Sequence, residues 1–143
     1  MQAPGEIVWE ILADVAAWPE WSVIYPQAAG VIGFGERLTL TLVLPGQEPE
    51  VIQPRIVDWG PIEAIHWRTP AMRGLVTAIR YLEVEVMSEA GCIFSNGELF
   101  QGLLSNRIPR ARRIALRDGF VALGESLRDR AEALWRERQA KAT

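Results

Sequence analysis

The chain has 143 residues, of which 49% are hydrophobic and 23% charged, and its net charge at neutral pH is −3. That length is typical of one domain with a core of its own, so we expect a single domain over residues 1–143. A single cysteine excludes an internal disulfide framework, one cysteine with one histidine leaves too few soft ligands for a zinc site, and the acidic balance argues against nucleic acid as a partner.

The sequence contains no apolar run near the roughly 20 residues that a membrane-spanning helix needs. Its N-terminus also lacks the basic start and apolar block of a secretory signal. These features predict a cytoplasmic protein that holds no metal and no other cofactor.

The first predicted element is a short amphipathic helix. Its apolar residues fall at helical spacing on one face, and they are Val8, Ile11, Leu12 and Val15. A second short helical turn, rich in tryptophan, follows over residues 18–21.

Alternation of apolar and polar residues predicts strands through the middle of the chain. Their predicted ranges are 36–44, 50–58, 63–69, 76–87 and 92–101. Pro54 indicates an edge or a bulge in the second of these strands. The glycines between 30 and 35 precede a strand rather than a helix, so they predict a turn and not a dinucleotide-binding loop.

From Pro109 to Gln139 the apolar residues recur at steps of three and four, which predicts a long helix. Short helices, then antiparallel strands, then a closing helix make an α+β order. Arginines crowd residues 107–117 at the start of this helix, where the macrodipole disfavours cations. Two interpretations stay open: a solvated face, and a basic rim that attracts an acidic ligand, an anionic lipid head group or an RNA backbone.

Several motifs together resemble the START-like (SRPBCC) superfamily, and in particular its polyketide cyclase/dehydrase-like branch. They are Ala3-Pro4, Val8-Trp9, Leu12, Asp14, Pro19-Glu20-Trp21, Gly33 and Gly35, Ile65-x-Trp67, and Glu98-x-Phe100-x-Gly102. The resemblance implies a helix-grip fold, in which a curved antiparallel sheet wraps around the long C-terminal helix and leaves a ligand cavity between them.

The family opens with a strand ahead of the Ala-Pro pair, and only Met1 and Gln2 stand there in this chain. Either the first family strand is missing or the natural start site lies further upstream. An unpaired sheet edge is usually covered by dimerisation, a loop or charge. A homodimer and an open rim to the cavity are both expectations.

Within the implied fold, strand parity indicates which side chains face the cavity. The predicted ligand-binding residues are Trp21, Tyr25, Leu40, Leu42, Trp67, Arg80, Leu82, Phe94, Asn96, Glu98, Phe100, Phe120 and Leu123. Arg80 and Glu98 would each be costly against apolar walls unless paired or hydrogen-bonded. A structural ion pair between them and a polar anchor for a ligand are both open.

The resemblance implies binding of a hydrophobic or amphipathic small molecule of a lipid-like or polyketide-like kind. One alternative is a cyclase/dehydratase-like enzyme that uses Glu98 or Tyr81 for proton transfer, and another is a protein-interaction module. Relatives often carry a histidine near the position of Arg80, and arginine is a poor general base. The only histidine, His66, alternates with Trp67 and is predicted to face away from the cavity.

Overall fold

A computed structural model describes residues 1–143 as an α+β fold. The helices are Gly5–Ala13 (α1), Trp18–Trp21 (α2) and Arg110–Ala142 (α3). The strands are Gln27–Ala29 (β1), Thr39–Leu42 (β2), Glu50–Ile52 (β3), Arg55–Gly60 (β4), Ala64–Ala71 (β5), Val76–Ser88 (β6) and Gly91–Gln101 (β7). The predicted α+β class, with two short helices before the sheet and a long helix after it, is confirmed.

All strand pairs are antiparallel, and they form two sheets with the orders β1-β2-β3 and β4-β5-β6-β7. A bridge between Arg37 and Arg55 joins the two sheets. The prediction of one strand over residues 50–58 was wrong, because β3 ends at Ile52 and β4 begins at Arg55. Pro54 lies at the break and has no N–H with which to continue a ladder.

The core lies between the sheets and the helices α1, α2 and α3. At its centre the rings of Trp18, Tyr25 and Trp67 pack against one another, with centroids 5.5 to 6.2 Å apart. Trp18 and Trp67 are each 1% exposed and Tyr25 is 2% exposed. The space enclosed by the sheet is therefore filled at this point by aromatic side chains.

The strand β7 is paired on one edge only. It runs against β6 from Thr77 to Ser88, and its other edge meets a single residue, Met1. The Met1 amino group donates to the Cys92 carbonyl at 2.6 Å, and the Cys92 N–H donates to the Met1 carbonyl at 3.2 Å. No strand precedes α1 among residues 1–143, and the edge of β7 beyond Cys92 has no backbone partner.

A cleft between β7 and α3 as the candidate site

A cleft of about 370 Å³ opens between the β6–β7 hairpin and the first half of α3. It is lined by Tyr81, Asn96, Gly97, Glu98, Phe100, Arg113, Leu116, Arg117, Phe120 and Val121. The β7 residues at even positions share one face of the strand, and the α3 residues recur at helical spacing, so two regular elements position the walls. Half of the lining residues are apolar.

Arg80 lies beneath the cleft and is 1% exposed. Its Nε donates to the hydroxyl of Tyr25 at 3.3 Å, and its Nη1 donates to the carbonyls of Tyr81 and Gly97 at 3.1 Å each. Its Nη2 donates to Oδ1 of Asn96 at 2.9 Å. Every nitrogen of this buried cation thus has an uncharged oxygen as acceptor, which offsets part of the cost of burial.

Aromatic rings also support the Arg80 guanidinium. Its central carbon lies 3.7 Å from the ring centroid of Phe120 and 5.9 Å from that of Trp67. Asn96 donates its side-chain amide to the carbonyl of Phe120 at 3.2 Å. The strand pair and α3 are therefore connected through the arginine by hydrogen bonds and by cation–π contact.

Glu98 stands opposite Arg80 in the register of β6 and β7, yet no ion pair forms between them. Of the two open interpretations, the ion pair is absent, because the donors of Arg80 are taken by the hydroxyl, amide and carbonyl oxygens around it. Burial raises the pKa of the Glu98 carboxyl, while the charges of Arg80 and Arg112 lower it and that of Glu50 raises it. Glu98 is a half-buried carboxyl without a hydrogen-bond partner at the wall of the cleft.

Arginines of α3 form one rim of the cleft. Arg113 donates to the carbonyls of Ser105 and Ile108 at 2.9 and 3.4 Å and lies 5.6 Å from the Phe100 ring centroid. The side chain of Arg117 is 71% exposed and approaches only its neighbour Asp118, at 3.4 Å. The rim is therefore basic at the mouth.

Another arginine of the same turn has a structural role. Arg112 makes two hydrogen bonds of 2.9 Å to the carboxylate of Glu50 and so ties α3 to β3. The arginines at the start of α3 therefore have different roles. Arg112 forms this ion pair, Arg113 binds backbone carbonyls, and Arg113 and Arg117 form the basic rim.

Four of the residues predicted to bind ligand line this cleft: Asn96, Glu98, Phe100 and Phe120. Phe94 lies in an adjoining depression, together with Asn96 and Phe120. The others lie in the core and are no more than 9% exposed, namely Trp21, Tyr25, Leu40, Leu42, Trp67, Arg80, Leu82 and Leu123. Strand parity predicted that these side chains point inward. It could not predict how much space remains around them, and in the structure they belong to the packed core.

The cleft also includes Gly97, Leu116 and Val121, which the sequence analysis did not place at a binding site, and Arg113 and Arg117, which it considered only as part of a basic rim. Helical spacing around Phe120 is the signal that could have found most of them, because positions three and four residues away share its face. Tyr81, proposed only for proton transfer, reaches the same cleft by way of Gly97, whose missing side chain leaves room for the phenol ring.

The remaining reactive side chains lie apart from the cleft lining. His66 is on the outer face of the sheet, with Nε2 3.5 Å from a carboxylate oxygen of Glu83. Cys92 is buried, and burial raises the pKa of its thiol. No group of histidine, cysteine and acidic residues is arranged to hold a metal ion, and none of the helices has the length and hydropathy to cross a membrane.

Solved structures share this architecture. A START superfamily protein from Mycobacterium smegmatis superposes with a TM-score of 0.73 at 14% identity, over 94% of this chain and 93% of that one. The Zhui aromatase/cyclase from Streptomyces sp. R1128 gives 0.67 at 18% identity, over 92% and 88%. The di-domain ARO/CYC BexL from the BE-7585A biosynthetic pathway gives 0.69 at 20% identity, over 90% of this chain and 44% of that one.

No family model and no curated protein matches the sequence. The structural likeness nevertheless confirms the predicted START-like helix-grip fold, of the kind that polyketide aromatase/cyclases also have.

Proposed function

We propose that the protein, acting as one domain over residues 1–143, binds a hydrophobic or amphipathic small molecule of a lipid-like or polyketide-like kind in the cleft between β7 and α3. The observation that carries the proposal is the composition of this cleft. Phe100, Leu116, Phe120 and Val121 give it apolar walls, and a few polar groups converge on it. Ligand sites typically combine a largely apolar lining with a small number of placed polar groups.

The size of the cleft limits its ligand. A volume of about 370 Å³ is near the lower end of the range for small-molecule pockets. Because Trp18, Tyr25 and Trp67 fill the centre of the fold, a long chain has no room to enter the core. We therefore expect a compact ligand, or one whose remainder extends into solvent past Arg113 and Arg117.

Binding is tested with the fluorescent amphipath 8-anilino-1-naphthalenesulfonate and with the variant Val121→Trp. Val121 is 56% exposed, so a larger side chain fits there without disturbing the core but occupies the cleft. We expect the dissociation constant to rise by roughly tenfold, which corresponds to about 1.4 kcal/mol. Val23→Trp is the matched control, because Val23 is 58% exposed and does not line the cleft.

Native mass spectrometry of the purified protein supplies a second measurement, since a discrete hydrophobic adduct would identify the ligand class. Equal affinity of the parent and Val121→Trp for the probe, together with the absence of any adduct, would contradict the proposal.

A cyclase/dehydratase-like activity is a second candidate, favoured by the carboxyl of Glu98. It lies at the same cleft as the Tyr81 phenol, and burial raises its pKa toward the range useful for proton transfer near neutral pH. With a short poly-β-ketone thioester as substrate, Glu98→Gln should lower turnover by about 10²-fold or more. Binding of the fluorescent probe should be retained, and unchanged turnover in this variant would rule out the role of Glu98.

We also propose that the protein forms a homodimer through the unpaired edge of β7. The edge is long, and the outer face of the same strand exposes Ile93 and Leu99. Such an edge is a ready template for another strand. The cytoplasmic location indicated by the sequence stays a prediction.

A further inference from the structure

Three arginines stand side by side on the outer face of the sheet, opposite to the face that packs against α3. Arg37 is bridged to Arg55, and Arg55 is the register partner of Arg68 on the next strand. Each follows or precedes a fully buried residue, so strand alternation turns each arginine outward. The row runs across the junction of the two sheets.

The geometry of the first pair brings its side chains close together. Backbone hydrogen bonds of 2.9 Å flank the Arg37–Arg55 bridge on both sides, which makes the two residues a non-hydrogen-bonded antiparallel pair. In such pairs the Cα atoms are about 4.5 Å apart and the side chains are closer than at other positions. The backbone therefore places the side chains of two arginines at directly opposite positions on one face.

No carboxylate neutralises this row. Arg37, Arg55 and Arg68 take part in no ion pair within 4.0 Å, and their one side-chain hydrogen bond runs from Arg55 to the Gly35 carbonyl at 3.4 Å. Like charges directly opposite each other on neighbouring strands destabilise a sheet. The arrangement therefore carries an electrostatic cost that a bound anion would remove.

The three side chains line one depression of about 670 Å³. Its other lining residues include neutral hydrogen-bonding groups, on Gln53, Thr69 and Thr77. Nothing acidic lines it, whereas Glu83 lies further along the same face and pairs with His66. A single ligand in the depression could therefore accept hydrogen bonds from several guanidinium groups and from a few neutral donors.

We propose that this depression is a binding site for a phosphate-bearing ligand, held by its phosphoryl oxygens. Guanidinium groups bind phosphate through paired N–H donors, and they stay charged at any physiological pH. A monovalent carboxylate would neutralise only one arginine of the row, whereas a phosphomonoester or a diphosphate matches more of its charge. Because the site is on the face of the sheet away from α3, it is separate from the cleft and independent of the function proposed there.

Inorganic pyrophosphate tests the site by isothermal titration calorimetry on the full chain at constant ionic strength. We expect Arg55→Gln and Arg68→Gln each to weaken binding by roughly tenfold or more, since each change removes a charged hydrogen-bond donor from the site. Arg128→Gln is the control, because Arg128 is an exposed arginine on α3 and does not line the depression. Arg55→Lys, which keeps the charge and loses the fork, should give an intermediate affinity.

Thermal unfolding supplies a readout that a loss of folding would not imitate. At low ionic strength without pyrophosphate, Arg55→Gln should unfold at the same temperature as the parent or at a higher one, because it relieves repulsion. With pyrophosphate added, the unfolding temperature of the parent should rise and that of Arg55→Gln should not. Equal affinity in the parent, Arg55→Gln and Arg68→Gln, or no pyrophosphate binding at all, would overturn the proposal.

Vesicles distinguish two sources of the phosphate. If vesicles of phosphatidylcholine and phosphatidic acid sediment the parent but not Arg68→Gln, the phosphate belongs to a lipid headgroup. If pyrophosphate binds while these vesicles do not sediment the parent, the ligand is a soluble phosphate compound.

Discussion

Arg80 is the residue on which the floor of the cleft depends, because it is a buried cation stabilised by neutral oxygens and by the Phe120 ring rather than by a carboxylate. We predict that Arg80→Lys lowers the free energy of unfolding by about 2–4 kcal/mol. An ammonium group cannot reach oxygens on several sides, and it leaves the Tyr25 hydroxyl and the Asn96 amide without their donor. Denaturant unfolding measures the change.

Arg128→Lys is the control for that substitution, because the side chain of Arg128 is 48% exposed and its ion pair with Asp129 lies at the surface. Its stability should stay within about 0.5 kcal/mol of the parent. If Arg80→Lys also left the free energy of unfolding unchanged, the hydrogen bonds around Arg80 would contribute nothing to stability.

The raised pKa of Glu98 predicts a particular dependence of stability on pH. Burial, the largest cause, raises the pKa of the folded carboxyl above that of the unfolded chain, so the folded state holds its proton to higher pH. Stability therefore falls as the pH rises from the usual glutamate pKa, about 4.3, through the raised folded value, and then levels off. Glu98→Gln removes this dependence.

The difference between the parent and Glu98→Gln is the quantity to measure, by denaturant unfolding across pH. We expect the variant to be the more stable protein at neutral pH, and this advantage to disappear below the usual glutamate pKa. A parent that gains stability on Glu98 ionisation would show the opposite sign, and the carboxyl would then be favourably paired and not merely desolvated.

For single residues, the sequence predicts which face of a strand a side chain occupies better than it predicts the side chain's hydrogen-bond partners. Alternation along β6 and β7 predicted that Arg80, Asn96 and Glu98 share the inner side of the sheet, and the register places Arg80 opposite Glu98. It could not predict that Arg80 would bond to Asn96 and to backbone carbonyls, because those contacts depend on side-chain torsions and on Gly97.

Among the elements, α3 provides a comparison of two glycines in one helix. A Cβ at Gly119 would come within 2.8 Å of Leu44 Cδ2 and 3.3 Å of Ile24 Cγ2, whereas at Gly124 it would meet nothing closer than 3.8 Å. Alanine in place of glycine favours a helix by about 1 kcal/mol, and overpacking a core costs about 1–3 kcal/mol. We predict that Gly124→Ala stabilises the protein and that Gly119→Ala destabilises it.

Thermal unfolding of both variants checks the contrast, with helix content followed by circular dichroism. Gly124→Ala serves as the control for helix propensity, since both changes add the same methyl group to the same helix. Stabilisation by both substitutions would mean that the side chains of Leu44 and Ile24 move aside readily and that α3 does not need a glycine to pack against them.

Helices and strands whose apolar residues recur at regular spacing could be predicted from the sequence, and those without such spacing could not. β6, β7 and α3 agree with the predicted ranges to within a few residues, because each has many apolar residues at regular spacing. β1 was missed because its three residues, Gln27–Ala29, have no period and exist as a strand only through pairing with β2. Predicting the break at Pro54 would have required knowing which strands pair, and a local sequence pattern does not contain that information.

The whole molecule differs in two respects from a helix-grip fold with a cavity between the sheet and the C-terminal helix, and the two differences have separate causes. Its centre is filled because Trp18, Tyr25 and Trp67 meet there, which moves the open space to the cleft between β7 and α3. Its sheet has an open edge because Met1 is the one residue that pairs with β7 on the side away from β6. Fold resemblance predicted the second feature, whereas the first depends on volumes that no alternation pattern specifies.

The open edge leads to a prediction about assembly. Beyond Cys92, alternate residues of β7 present backbone donors and acceptors at the open edge, and the exposed fractions of Ile93 and Leu99 are 46% and 57%. A second β7 running antiparallel about a two-fold axis would pair these groups and bring the apolar side chains together. We therefore expect sedimentation velocity to show a dimer whose population rises with protein concentration.

Charged side chains on an edge strand oppose such pairing, so the double variant Ile93→Lys, Leu99→Lys should sediment as a monomer with an unchanged circular dichroism spectrum. Val23→Lys is the control, because Val23 is 58% exposed and lies outside β7, and it should remain dimeric. A parent that stays monomeric at every concentration would contradict the dimer. A double variant that still dimerises would place the interface elsewhere, since pairing at β7 would then bring four lysines of two chains together at one seam.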